Sequence, residues 1–231
     1  MLEDRIVINQ TIGISKDTIF DRKHNLWIGV SYSNNFYTES NIETLILFAK
    51  KYTKDQVLIW LPGRMQATNY RYFDDAKRAE ALKLAYQDEN KTRTFLQNFI
   101  SKKVIIADYD ETQDSTHVKN KAILYREFSK EGVLYNDVLL VVKNIIVARG
   151  RTPHKNKLES LALYILHELP LFLNGVSHDG GKTFFTCMLY PGMGALDELV
   201  KMIKEDKKYE VLRENLIIEN KTGIADIKLN L

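Results

Sequence analysis

A serine at the end of one apolar run, and a tyrosine and a glutamate four residues apart in another, are the side chains of this sequence best placed to do chemistry. The first run is Asn25-Leu26-Trp27-Ile28-Gly29-Val30-Ser31, which reads as a strand delivering a hydroxyl at its end. The second is Tyr164-Ile165-Leu166-His167-Glu168-Leu169-Pro170, where helical spacing puts a phenol and a carboxylate on one face. Together they suggest covalent catalysis by serine without a histidine base. Each element also has a plainer use. Gly29 and Ser31 can simply close a strand, with Asn34 beginning a turn, and an ion pair would satisfy Glu168 as well as a substrate amine would. His167 projects to another face of its helix than Glu168 and reads as structural or surface-exposed. Ser31 does not form the nucleophile elbow of α/β-hydrolases, because Ser33 stands where that turn needs glycine.

These residues need a scaffold, and the pattern of the chain supplies one. With 231 residues, 45% of them hydrophobic, the chain can bury one sizeable core, so residues 1–231 are expected to form a single domain. Apolar runs at 5–9, 26–31, 56–61, 103–107 and 183–189 read as strands, several of them buried on both faces as in parallel sheets. Amphipathic stretches at 41–52, 74–100, 116–130, 136–148, 157–173 and 195–205 read as helices. Strands joined by helices predict an α/β fold: Rossmann-like, doubly wound, with a mostly parallel sheet and helices on both faces. In such folds ligands bind beyond the carboxyl ends of the strands, where Ser31 falls. The stretch from Lys207 onward gives no clear pattern.

Several classes of function are excluded or disfavoured. No apolar run reaches the roughly 20 residues of a membrane span, and the first residues lack a signal-peptide core, so a cytoplasmic protein that does not engage membranes is expected. Cys187 is the only cysteine, which excludes an internal disulfide and thiolate metal sites. There is no P-loop and no glycine-rich dinucleotide fingerprint, so neither a metal nor an organic cofactor is expected.

Gly29-Val30-Ser31 followed by Asn34, the Tyr-x-x-x-Glu-x-Pro string from Tyr164 to Pro170, and Tyr190-Pro191 after a strand together resemble the cyclodipeptide synthases. That family is similar to the catalytic domain of class I aminoacyl-tRNA synthetases, whose His-x-Gly-His and Lys-Met-Ser-Lys-Ser signatures are missing here. The resemblance implies ATP-independent formation of a 2,5-diketopiperazine from two aminoacyl-tRNAs, with tailoring enzymes as possible downstream partners. By the same resemblance Ser31 is the nucleophile, and Tyr164 and Glu168 bind the α-amino group of the first aminoacyl moiety. Tyr190 assists proton transfer, Asn34 hydrogen-bonds near the nucleophile, and the Gly29 backbone lines the pocket. Asn34 and Pro191 combine features of two branches of the family.

Trp27 points to the same side of its strand as Gly29 and Ser31, so it borders the amino-acid pocket or packs in the core. Leu171 and Met188 are pocket candidates by their offsets from Glu168 and Tyr190, and Pro191 by adjacency to Tyr190. A tRNA partner needs cations. From 64 to 103 there are nine Lys or Arg against five Asp or Glu, in a chain of net charge only +3. Arg71, Lys77, Arg78, Lys83, Lys91 and Arg93 are the candidate tRNA face, with Arg71 and Arg78 expected on one side of a helix. A different serine acyltransferase or esterase, or a tRNA-binding module without catalysis, is the alternative.

Overall fold

The computed structural model describes residues 5–32, 34–192, 194–218 and 221–229; Ser33 lies outside them. Its centre is a six-stranded sheet, built from strands whose apolar side chains alternate between two cores. In β2 (Leu26–Gly29), Leu26 and Ile28 enter one core and Trp27 the other. β3 (Val57–Leu61) repeats the pattern, with Val57, Ile59 and Leu61 on the first side and Leu58 and Trp60 on the second. Alternation of period two along strands buried on both faces is what a sheet between two helical layers requires.

Strand order is β1 (Ile6–Ile12), β8 (Gly223–Leu229), β7 (Cys187–Pro191), β2, β3, β4 (Val104–Asp108). All neighbours run parallel except β1 and β8, so the sheet is mostly parallel with one antiparallel edge. A short hairpin of β5 (Val176–His178) and β6 (Thr183–Phe185) stands apart. One face of the sheet is covered by α1 (Lys16–Phe20) and α2 (Glu39–Tyr52), whose Ile19, Leu45, Ile46 and Phe48 share a core with Leu26 and Ile28. The other is covered by α5 (Ser115–Phe128), α6 (Val133–Ala148), α7 (Lys155–Asn174) and α8 (Ala195–Glu205).

Caps set the ends of these helices. Thr38 Oγ1 accepts from Asn41 N at 3.2 Å at the start of α2, and Asp114 Oδ1 from His117 N at 2.7 Å at the start of α5. α7 ends at Gly175, whose φ is +76°. A Cβ there would meet the Phe185 carbonyl oxygen at 2.3 Å, so both conformation and contact demand glycine.

Three expectations need correction. The helix expected over 74–100 is α4 (Arg78–Leu96), and a separate helix, α3 (Gln66–Phe73), precedes it, the chain turning at Asp74 and at Asp75, whose φ is +53°. Arg71 and Arg78 therefore sit on different helices and share no helical face. Residues 183–189 form two strands in two sheets, parted at Thr186, whose N–H turns to the Asn25 carbonyl. Among the described residues after Lys207 are α9 (Glu210–Asn215) and β8, which lies between β1 and β7.

The order places a crevice. From β2 the chain steps outward through β3 to β4, whereas from β7 it steps the other way to β8. Neighbouring β2 and β7 are thus the switch point, and their carboxyl ends carry Ser31 and Tyr190.

Candidate active site

A cavity of about 200 Å³ opens at this switch point, and Ser31, Tyr164, Glu168 and Tyr190 all line it. Ser31 follows β2 by two residues, after Val30 has extended the ladder with a 3.0 Å bond to the Trp60 carbonyl. The carbonyl of Ser31 accepts from Asn34 N at 3.2 Å, and Asn34 Oδ1 accepts from Phe36 N at 2.9 Å. Asn34 thus shapes the turn behind the serine, hydrogen-bonded next to Ser31, and is not among the residues that line the cavity. Its side-chain oxygen is committed to an Asx turn.

Tyr164 and Glu168 face the cavity one turn apart on α7, and the phenol donates to Glu168 Oε1 at 2.6 Å. Exclusion of water pushes the Glu168 carboxyl up to about 7; the Tyr164 hydrogen bond and the Arg149 charge oppose the rise, and Asp197 adds to it. Desolvation, then the Glu168 carboxylate, drives the Tyr164 phenol well above its ordinary range. Tyr190 is raised by desolvation, then by Asp197 and Glu168, so it stays protonated at neutral pH. Pro170 lies inside α7 two residues beyond Glu168. Lacking an N–H, it cannot bond the carbonyl of Leu166, a local weakness in the helix next to the carboxylate.

The floor is apolar. Trp27, Leu171 and Met188 line the cavity as anticipated, joined by Phe172. Trp27 is also 1% exposed, with its ring edge-on to Trp60 at 6.3 Å and to Phe172 at 6.2 Å, so it lines the cavity and packs in the core at once. Gly29 lies beneath the thioether of Met188. Pro191 is not part of the wall: it continues β7 opposite Ile227, and Gly192 and Gly194 border the cavity in its place.

The sequence reading missed Asn69, Arg149 and Asp197 in the wall. Asn69 lies on α3, a helix the periodicity did not show, and Arg149 closes α6. Asp197 sits in the first turn of α8, where an acid reads as a capping residue, and one oxygen does cap: Oδ2 accepts from Gly194 N at 2.7 Å. Its Oδ1 is buried without a partner, and desolvation pushes the carboxyl up to about 6.

No histidine is among the described residues lining the cavity. His167 faces away, its Nδ1 hydrogen-bonded to the Tyr109 hydroxyl at 2.7 Å, in keeping with a structural role. No three His, Cys, Asp or Glu side chains among the described residues converge as metal ligands would. No helix there is long and apolar enough to cross a membrane.

Of the cationic candidates, Arg71 on α3, Lys77 before α4, and Arg78, Lys83 and Lys91 on α4 are exposed. Arg93 is not an open cation. It bonds Glu89 Oε1 at 2.7 Å, Asp108 Oδ2 at 2.9 Å and Glu111 Oε2 at 3.1 Å, tying α4 to the end of β4.

Residues 9–179 match the family described as cyclodipeptide synthase. No functionally curated protein is detectably similar in sequence. Among solved structures, the chain is similar to the cyclodipeptide synthase of Staphylococcus haemolyticus, with a TM-score of 0.75 at 20% identity over 95% of this chain and 98% of that one. It is also similar to a Mycobacterium tuberculosis protein whose structure relates cyclodipeptide synthetases to type I tRNA synthetases, with a TM-score of 0.71 at 17% identity over 92% and 89%. A third likeness is to the cyclodipeptide synthase of Candidatus Glomeribacter gigasporarum bound to Phe-tRNAPhe, with a TM-score of 0.52 at 11% identity over 89% and 87%. At these identities the structural likeness speaks to the fold.

Proposed function

With the family match spanning well over half its length, the chain belongs to the cyclodipeptide synthases, and we propose that it joins the amino acids of two aminoacyl-tRNAs through esters on Ser31. The observation that carries this reading is the meeting of Ser31, the Tyr164–Glu168 pair and Tyr190 in one cavity at the switch point of the sheet. A Phe-tRNA bound to the Candidatus Glomeribacter gigasporarum enzyme supports the substrate class.

The Ser31 hydroxyl attacks the ester carbonyl of the first aminoacyl-tRNA; a new C–O bond forms to Oγ, and the bond to the ribose oxygen breaks. The serine proton passes to that leaving oxygen. Because one alkyl ester replaces another, the step is nearly thermoneutral and needs no resident histidine. Tyr164 and Glu168 hold the α-amino group, a charge-assisted contact contributing about 1.5–3 kcal/mol. Carboxyls raised by burial suit this work, since an arriving ammonium restores their ionisation and the neutral amine is within reach when a proton must leave.

The bound amine then attacks the ester carbonyl of the second aminoacyl-tRNA; a C–N bond forms, the bond to the second ribose oxygen breaks, the amine proton passes to that oxygen as the tRNA leaves, and a dipeptidyl ester remains on Ser31. Its free amine closes the ring on the serine ester and regenerates the hydroxyl. Closure needs a cis peptide, which costs about 2.5–4 kcal/mol and is offset by holding both ends in one cavity. The protonated Tyr190 phenol hydrogen-bonds the reacting groups. Exposed Arg71, Lys77, Arg78, Lys83 and Lys91 meet the tRNA backbone.

The test is mass spectrometry of the medium of bacteria expressing this chain or its Ser31→Ala variant. New diketopiperazine masses that vanish with the variant are expected. Masses that persist would remove Ser31 from the mechanism, and well-expressed protein giving none would overturn the reading.

A further inference from the structure

A chain of side-chain amides stands behind the Tyr164–Glu168 pair. Tyr164 gives its proton to Glu168 Oε1, so in the hydrogen bond that joins this phenol to Asn69 the asparagine amide is the donor. The same Asn69 Nδ2 donates its other hydrogen to Gln66 Oε1 at 3.1 Å. This sequence of donors fixes which way Gln66 is turned: its oxygen is taken, and its Nε2 is buried without a partner. Gln66 is 1% exposed, begins α3 and lines the active-site cavity together with Asn69. A buried amide donor left uncommitted destabilises the fold unless something else comes to bond it.

The reaction brings an acceptor to this place. The α-amino nitrogen held by Tyr164 and Glu168 is the nucleophile of peptide-bond formation, so the second ester carbonyl has to come within bonding distance of it. Once the C–N bond has formed, the former carbonyl oxygen carries a negative charge and is two bonds from that nitrogen. It needs donors among the side chains around the pair. Glu168 and Asp197 offer acceptors, Asn69 Nδ2 has spent both hydrogens, and the Arg149 guanidinium lies over the Phe73 ring at 4.3 Å. The Tyr190 phenol and Gln66 Nε2 remain. We propose that Gln66 is a catalytic residue of the second transfer, its Nε2 donating to the oxyanion that forms when the bound amine attacks the second aminoacyl ester. The assignment rests on the substrate class and amine site inferred above.

The step balances without a proton from Gln66. The carbonyl π pair moves onto oxygen as the C–N bond forms, and returns as the bond to the ribose oxygen breaks and the amine proton passes to that oxygen. The amide holds the charge in between, in a wall that is closed to water and oriented before the substrate arrives.

The test follows the two transfers separately in the full chain. With enzyme in excess over a radiolabelled aminoacyl-tRNA carrying an amino acid found in the product, the label stops on Ser31. A chase of unlabelled aminoacyl-tRNA then moves it into the cyclic dipeptide. Gln66→Leu should acylate Ser31 at the parent's rate and react with the chase about 10²–10³-fold more slowly, the effect of removing one oxyanion donor. Intact-protein mass spectra should show aminoacyl-enzyme persisting, with no build-up of dipeptidyl-enzyme. Gln66→Glu, once ionised, keeps an oxygen for Asn69 and loses the donor, so it should share the defect. Its chase rate also decides the matter should the leucine variant fold poorly. A parental chase rate in the ionised Gln66→Glu chain would show that Gln66 only props Asn69. That result, or both transfers slowed equally or left unchanged in a Gln66→Leu protein that melts normally, would overturn the proposal. A parent chain that aminoacyl-tRNA does not acylate would instead overturn the substrate class, and this role with it.

Discussion

A Cβ placed on Gly29 would lie 2.6 Å from Cε of Met188. The contact is with the free end of a flexible thioether, so the strand can accept a methyl group there if Met188 swings into the cavity. Gly29→Ala is expected to fold, with a loss of about 1–3 kcal/mol, and to shift the product toward smaller amino acids. Met188→Ala in the same chain should restore the original products. Thermal melts and product masses read both effects, and an unchanged product profile in the single variant would contradict this placement of the pocket wall.

The raised carboxyl of Glu168 makes a prediction about stability. Its ordinary value is 4.5 and its folded value about 7, so the folded chain resists ionisation that the unfolded chain allows. Below 4.5 both states are protonated and nothing is lost; as pH rises from there to 7 the stability contribution disappears. Glu168→Gln keeps an acceptor for Tyr164 without the charge. At pH ~8 it should be more stable than the parent by about 3 kcal/mol, and near pH ~4 the two should coincide. Denaturant titrations across that range check it, and a gap independent of pH would refute it.

The cations on α4 divide into two kinds. Lys83→Ala and Lys91→Ala should each weaken tRNA binding and flatten its dependence on log salt by about one unit, with stability unchanged. Arg93→Ala should do the reverse, because it strands Glu89 and Asp108 without their common partner. A loss of about 2 kcal/mol in stability, with the salt dependence of tRNA binding kept, is expected. If Arg93→Ala instead flattened the salt dependence while melting normally, the arginine would belong to the tRNA face after all.

Asn34 is separable by chemistry. Its Oδ1 holds the turn behind Ser31 through Phe36 N, a bond that aspartate can also make. Asn34→Asp should retain most diketopiperazine formation, whereas Asn34→Ala should lose most of it. Comparable losses in both variants would show that the side-chain amide itself is needed.

The site was legible where chemistry interrupts a pattern. Tyr164 and Glu168 break an apolar helix, and Ser31 ends a strand whose period-two alternation held. Pocket residues named by offset, Leu171 and Met188, followed from the same periodicities. What escaped were residues whose local role looks ordinary. Asp197 occupies a helix-capping position, and only the tertiary fold puts it in the cavity wall and buries its other oxygen without a partner. Gln66, at the start of α3, has no spacing to mark it. β8 was hidden because Gly-Ile-Ala-Asp-Ile-Lys-Leu carries two charges; Asp226 is nonetheless buried, accepting from Gly192 N at 2.9 Å and from Asn9 Nδ2 at 3.0 Å. A composition rule rejects such a strand, whereas paired hydrogen bonds across the sheet accept it. The turn between α3 and α4 carries no proline or glycine, so the helix expected to start at 74 was begun before the turn and not after it.

The place of β8 between β1 and β7 also has a meaning in time. β1 is made early but has no neighbour in the sheet until β8, the last described strand, exists. The same strand supplies Asp226, which fastens Gly192 beside Tyr190. A chain still emerging from the ribosome therefore lacks a finished catalytic cleft while it is surrounded by the charged tRNAs that translation consumes.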